Sequence, residues 1–214
     1  MGASKADKEK VREILRLLKK EYPRPQTALK YKSPFELLVA TVLSAMTTDK
    51  HVNEVTPGLF KKYRKIEDYA GASPAEFQKD VSTINFYRNK ARNIQNAARM
   101  IVDDYGGKVP DAMEELVKLP GVARKTANII LSNAFGKNEG IAVDTHVKRL
   151  AGRLGLTKHD KPEKIEQDLM EITPQKDWGN LSHLLIFHGR EVCVAKKPRH
   201  AQCVLYDLCP SRDI

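Results

Sequence analysis

At 214 residues the chain can bury one large core or two small ones, and a hydrophobic content of 41% excludes the disordered class. No apolar run approaches the roughly 20 residues of a membrane-crossing helix. The first ten residues lack the apolar centre of a signal peptide, so a cytoplasmic, nucleoid-associated protein is expected. Lys and Arg outnumber Asp and Glu by 37 to 27, a net charge of +10; the excess points to a polyanionic partner, nucleic acid first, with a generically basic protein as the alternative.

Nearly every segment reads as helix. Val11, Ile14, Leu15 and Leu18 fall on one stripe of a helix over 5–22, which Pro23 and Pro25 stop. Ser33-Pro34-Phe35-Glu36 reads as a capping box with proline at the first helical position, opening an apolar helix through Leu43. An amphipathic helix follows Asp49. Ser73-Pro74-Ala75-Glu76 repeats the box, and Asp111-Ala112-Met113-Glu114 is a similar start, leading to Leu119. A helix from about Arg124 closes at Gly136, and others are expected over 145–154, 162–172 and 177–189. Residues 140–143 form a weak strand candidate. The reading is an all-α fold of about ten short helices.

Two stretches carry chemistry. In Leu119-Pro120-Gly121-Val122-Ala123-Arg124-Lys125 one helix ends, the chain turns, and a second helix begins. Gly121 permits a backbone shape that a side chain blocks. The turn and the helix N-terminus, Pro120 with Gly121, Val122, Ala123 and Arg124, form a DNA-binding candidate, in which the N–H groups after the proline face a phosphate without reading sequence; the alternative is an ordinary packing turn. At the far end, Cys193, His200, Cys203 and Cys209 stand at intervals of seven, three and six residues. Three cysteines confined to the last 22 residues suit a metal site better than a disulfide scaffold.

The hairpin, Lys125, the spaced Gly140-Ile141-Ala142-Val143-Asp144-Thr145-His146-Val147 and the terminal cluster together resemble the endonuclease III family of base-excision DNA glycosylases. The likeness spans nearly the whole chain. It implies a six-helix barrel with the helix-hairpin-helix over 27–136, and a discontinuous helical lobe from 1–26 and 137–214 that carries a cluster loop at 193–209. It implies a bifunctional enzyme, expected as a monomer, acting on double-stranded DNA. Oxidised or ring-saturated pyrimidines would be removed, and abasic sites cut by β-elimination.

In that scheme the Lys125 amine attacks C1′, expels the base and forms a Schiff base. A lysine attacks only when neutral, a form that nearby cations and a helix N-terminus favour. Asp144 would stabilise the positive charge building on the sugar and move protons. Taken alone, Lys125 also suits a phosphate contact and Asp144 a helix N-cap. A lysine at this position argues against an adenine-mismatch or other monofunctional mismatch glycosylase. A non-enzymatic hairpin DNA-binding module is the alternative from another class.

The family pattern of cluster ligands is four cysteines around a [4Fe–4S] cluster, and here His200 stands at the second. Three thiolates and an imidazole can hold such a cluster; zinc or an empty site are the alternatives. The cluster would be structural, setting Lys196, Lys197 and Arg199 against the DNA backbone. The family's S-A-Q-x-T-D segment reads Ser44-Ala45-Met46-Thr47-Thr48-Asp49, so Met46 replaces the glutamine that fills the gap left by a flipped nucleotide. Ile84 and Phe86 are candidates for a second wedge, with Arg88 and Lys90 on phosphate.

Overall fold

The computed structural model describes residues 4–212. Among them the secondary structure is helical throughout, with eleven α-helices, three short 3-10 helices and no strand. The chain divides into two compact units, Thr27–Lys137 on one side, and residues up to Gln26 with those from Asn138 on the other.

The central unit holds α2 (Pro34–Ser44), α3 (Asp49–Lys62), α4 (Ile66–Gly71), α5 (Pro74–Asp80), α6 (Tyr87–Tyr105), α7 (Met113–Leu116) and α8 (Arg124–Ala134). Helix α2 is apolar all round and sits at the middle of the core. Leu37, Leu38, Val39 and Leu43 are all fully buried, each worth about 1.5–3 kcal/mol of removal from water. Ile94, Ala97 and Ile101 of α6 pack in the same core, as do Ile130 and Leu131 of α8. Leu119 and Val122 join it and staple the α7–α8 turn in place.

The second unit holds α1 (Lys5–Glu21), α9 (Thr145–Arg153), α10 (Pro162–Ile172) and α11 (Trp178–Glu191), followed by the C-terminal loop with its two short 3-10 helices. The stripe Val11, Ile14, Leu15 and Leu18 is wholly buried in one core with Val147, Leu150, Leu169, Leu181 and Leu185.

The helix starts expected from the sequence are present, but the caps differ, and α4 and α6 open where no start is expected. Ser33 accepts from the Glu36 N–H at 3.2 Å, while Glu36 reaches back to the Lys32 N–H at 2.5 Å. Ser73 makes no side-chain cap, and Glu76 is taken by Lys62 at 2.6 Å. Asp111 is likewise diverted to Lys137, and Ala112 is the actual N-cap of α7. Residues 140–143 are no strand. Ile141, Ala142 and Val143 are buried one after another, and among the described residues no strand exists for them to pair with.

Candidate nucleic-acid interface and cluster loop

The hairpin turn is built from its glycine outward. Gly121 has φ +82, and a Cβ on it would stand 3.0 Å from Asn93 Cβ on α6. The turn therefore needs both the left-handed backbone and the missing side chain. It closes on itself through Leu119 N to Leu116 O at 3.1 Å and Val122 N to Leu119 O at 3.0 Å. The second bond occupies the Val122 N–H, and the Val122 side chain is buried, so Val122 anchors the turn and is no donor to phosphate. Gly121, Ala123, Arg124 and Lys125 are exposed, and Pro120 is half-buried. The N-cap of α8 is Ala123, with no side-chain cap. The start of an eleven-residue helix thus faces solvent with the positive end of its dipole uncovered. Lys125 sits on its first turn.

Asp144 is the N-cap of α9. Its Oδ1 accepts from the N–H groups of both His146 and Val147 at 2.8 Å. One oxygen takes both bonds, so the carboxylate is fixed and Oδ2 is left for other work. His183 on α11 feels that charge. Burial first, then Arg190, pulls its imidazole down to about 4, with Asp144 opposing.

The second wedge resolves between its candidates. Ile84 is 1% exposed and belongs to the core, so it cannot enter DNA. Phe86 is 67% exposed and Met46 is 78% exposed; they head the large hydrophobics left in solvent. Both are left-handed, with φ 58 and φ 56. Arg88 is exposed, its guanidinium over the Tyr87 ring. Lys90 is not on the surface at all. It is buried, and its Nζ donates to Leu43 O at 2.8 Å, to Ala45 O and to Thr47 Oγ1 at 3.3 Å. The expected phosphate contact is replaced by a clamp on the end of α2.

In the C-terminal loop the thiols of Cys193, Cys203 and Cys209 are free and half-buried, and with His200 they line one small cavity. Burial pushes the Cys203 thiol up; the Leu205 N–H opposes, and the neighbouring Cys193 and Cys209 push it further. Arg153 and Arg199 line the same cavity, and Arg153 Nη1 lies 3.2 Å from Cys193 Sγ, which suits a negatively charged cluster. Among the described residues no three His, Cys, Asp or Glu side chains are grouped to share one ion. The four candidate ligands line one small cavity, three thiols and an imidazole that can each ligate iron. The donor set fits an iron–sulfur cluster.

Several residues here carry no signal in the sequence. Arg149 on α9 donates to Gly189 O on α11 at 2.8 Å and to Cys193 O in the loop at 3.1 Å. Arg153 holds Val194 O at 2.8 Å and Ala195 O at 2.9 Å. His188 on α11 is buried, with Nε2 3.4 Å from Cys203 Sγ. Lys196 and Arg199 reach solvent from the loop, as does Lys197.

A helical fold with an exposed hairpin turn, a lysine just beyond it and a cysteine loop at the end defines a class. Residues 39–175 match the HhH-GPD superfamily of base excision DNA repair proteins, and residues 193–209 match the iron–sulfur binding domain of endonuclease III. Endonuclease III of Synechocystis sp. is 52% identical over 204 residues, covering 95% of this chain and 93% of that one. Endonuclease III of Bacillus subtilis is 50% identical over 189 residues, covering 88% and 86%. A solved structure of a trapped endonuclease III–DNA covalent intermediate, an estranged-adenine complex, superposes with a TM-score of 0.90 at 45% identity, covering 96% of each chain. The chain belongs to the endonuclease III family, and its C-terminal loop is that family's iron–sulfur site. Among the described residues no helix is long and apolar enough to cross a membrane.

Proposed function

We propose that this chain is a base-excision DNA repair enzyme that joins glycosylase and abasic-site lyase activities, with Lys125 as its nucleophile and Asp144 as its carboxylate. The observation that carries the assignment is the place of Lys125. It lies exposed on the first turn of α8, directly after a turn suited to phosphate that can deliver a DNA strand to it. A similar endonuclease III has been trapped covalently on DNA, as an amine nucleophile requires.

The Lys125 amine adds to C1′ of the damaged nucleotide while the base departs with the bonding electrons. The sugar opens to a Schiff base, and loss of a proton from C2′ expels the 3′ phosphate. Asp144, held rigidly by α9, stabilises the positive sugar and relays protons. The substrates are oxidised or ring-saturated pyrimidines in double-stranded DNA, and abasic sites, bound by a monomer at the nucleoid. Met46 and Phe86 fill the gap as the nucleotide leaves the stack, with Arg88 on phosphate. Methionine fills by volume but offers the orphaned base no amide hydrogen bonds, so preference for the opposite base is weak. His200 completes the ligand set with Cys193, Cys203 and Cys209. A [4Fe–4S] cluster held by these four residues would supply a rigid knot, from which Lys196, Lys197 and Arg199 reach toward the DNA backbone.

Borohydride reduction on an abasic-site duplex tests the assignment. A covalent adduct that disappears in Lys125→Ala supports it. Tight binding with no adduct selects a DNA-binding module, and base release without nicking selects a monofunctional glycosylase.

A further inference from the structure

Two turns of the central unit, the one after α2 and the one before α6, carry the two most exposed large hydrophobic side chains among the described residues, Met46 and Phe86. Each sits on a left-handed backbone without being glycine, a conformation that costs on the order of 1 kcal/mol and relaxes unless its surroundings hold it. The hold is visible. Asn85 Nδ2 donates to Met46 O at 2.6 Å, tying one turn to the other. Lys90 spans both. Its backbone N–H bonds Phe86 O at 3.2 Å on the first turn of α6. Its Nζ reaches Leu43 O, Ala45 O and Thr47 Oγ1, bracketing Met46 on both sides.

We propose that Lys90 is a positioning residue: with Asn85 it locks Met46 and Phe86 outward, as a preformed pair of prongs for opening the duplex. The proposal rests on the glycosylase reading above.

The chemistry of the clamp is specific to a charged lysine. An ammonium has three donors and no acceptor, and it meets three oxygens. Two of them are carbonyls at the C-terminal end of α2, the negative end of the helix dipole. Burial pulls Lys90 down to about 8, which still leaves the ammonium form in the majority at pH 7. A methionine there would fill the same volume and leave three oxygens unpaired. Phosphate binding at the α7–α8 hairpin and the Lys125 amine use none of these atoms, so prong geometry and covalent chemistry separate experimentally.

The test compares two substrates under single-turnover conditions, using the full-length protein with its cluster. One is a duplex containing a ring-saturated thymine, which must be opened. The other is a single-stranded abasic oligonucleotide trapped with borohydride, which has no stack to open. Lys90→Met is expected to slow duplex excision about ten- to a hundredfold, the equivalent of losing a charged hydrogen-bond donor. Trapping on the single strand should stay within about twofold of the parent. Asn85→Ala is expected to shift the same ratio in the same direction by a smaller factor, and it carries the test if Lys90→Met does not fold. Equal losses on both substrates, or an unchanged duplex rate in a folded variant, overturn the positioning role. A parent protein that makes no adduct on either substrate overturns the glycosylase–lyase reading itself, and this proposal with it.

Discussion

Gly121→Ala probes the hairpin at its tightest point. The backbone at φ +82 costs an L side chain roughly 1–2 kcal/mol. The new Cβ would also meet Asn93 at 3.0 Å from Cβ, 3.2 Å from Nδ2 and 3.4 Å from Cγ. The closest of these atoms is rooted on α6 and cannot swing aside, so the turn itself must move, at a further cost of about 1–2 kcal/mol. The sum is about 2–4 kcal/mol, a large part of an ordinary domain's stability. In a chain of this length it lowers Tm by roughly 4–16 °C. Urea unfolding of Gly121→Ala, Asn93→Ala and the double variant measures the contributions separately. Asn93→Ala trims Nδ2 and Cγ but keeps the offending Cβ, so the coupling should stay below about 1 kcal/mol. A Gly121→Ala protein within about 0.5 kcal/mol of the parent would refute both the strain and the close approach. Full relief by Asn93→Ala would place the cost in the amide and not in the backbone.

Asp144→Asn should keep α9 capped, because Asn caps as well as Asp, yet slow base release by about a hundredfold or more; a melt and a single-turnover assay on one preparation separate the two effects. Purified parent protein should show the broad charge-transfer absorption of an iron–sulfur cluster, and His200→Cys should keep it while lowering the reduction potential; metal analysis giving zinc, or a potential unmoved by His200→Cys, would remove histidine from the ligand set. Stability should fall on mild acidification through His183. Its folded value near 4 lies below the ordinary 6.5, so the unfolded chain takes up a proton first. The contribution is complete above pH 6.5 and is lost as pH falls toward 4, at most about 3 kcal/mol. The difference between urea midpoints at pH 7 and pH 5 should shrink in His183→Gln; the part that remains belongs to His188, whose imidazole burial also pulls down to about 4. Met46→Gln should restore an amide at the prong and sharpen discrimination between bases opposite the lesion, read as ratios of kcat/KM across four duplexes.

The features readable from the sequence arise from local chemistry. Leu119-Pro120-Gly121-Val122 announces a turn, because proline stops a helix and glycine alone takes the left-handed backbone next to it without strain. The α1 stripe announces a buried face, because 3.6-residue periodicity has one cause. The hidden features depend on contacts remote in the chain. Ile84 and Phe86 are two apolar residues two apart, and nothing between them says which one faces water. The left-handed backbone at Phe86 decides it. That same residue is the N-cap of α6 without a capping side chain, so the longest helix starts with no polar signal to announce it. Lys90 reads as a phosphate lysine because its partners lie 43 to 47 residues away, two of them carbonyls, which no pattern of side chains encodes. Residues 140–143 mimic a strand because apolar residues buried in a row look alike whether a sheet or a helical core covers them.

Strain and function coincide in a way that composition does not reveal. Among the described residues three that are not glycine have positive φ: Met46, Phe86 and Lys197. Two carry the prongs assigned to the opened duplex, and the third lies on the cluster loop among the cations assigned to the DNA backbone. Selection for stability alone would put glycine or asparagine at each, gaining on the order of 1 kcal/mol. A methionine, a phenylalanine and a lysine stand there, and all three reach solvent, so none recovers the cost by full burial. Each turn is held from behind instead: the first two by Lys90 and Asn85, the third by a loop that Arg149 and Arg153 bind through its carbonyls and that the cluster ligands draw together. A solvent-facing side chain on a strained backbone, with polar bonds beneath it, makes sense when the side chain meets a ligand and must not move as it does. The three strained positions are Met46, Phe86 and Lys197, the same side chains for which DNA contact is proposed above, and the strain supports that proposal without resting on the family pattern.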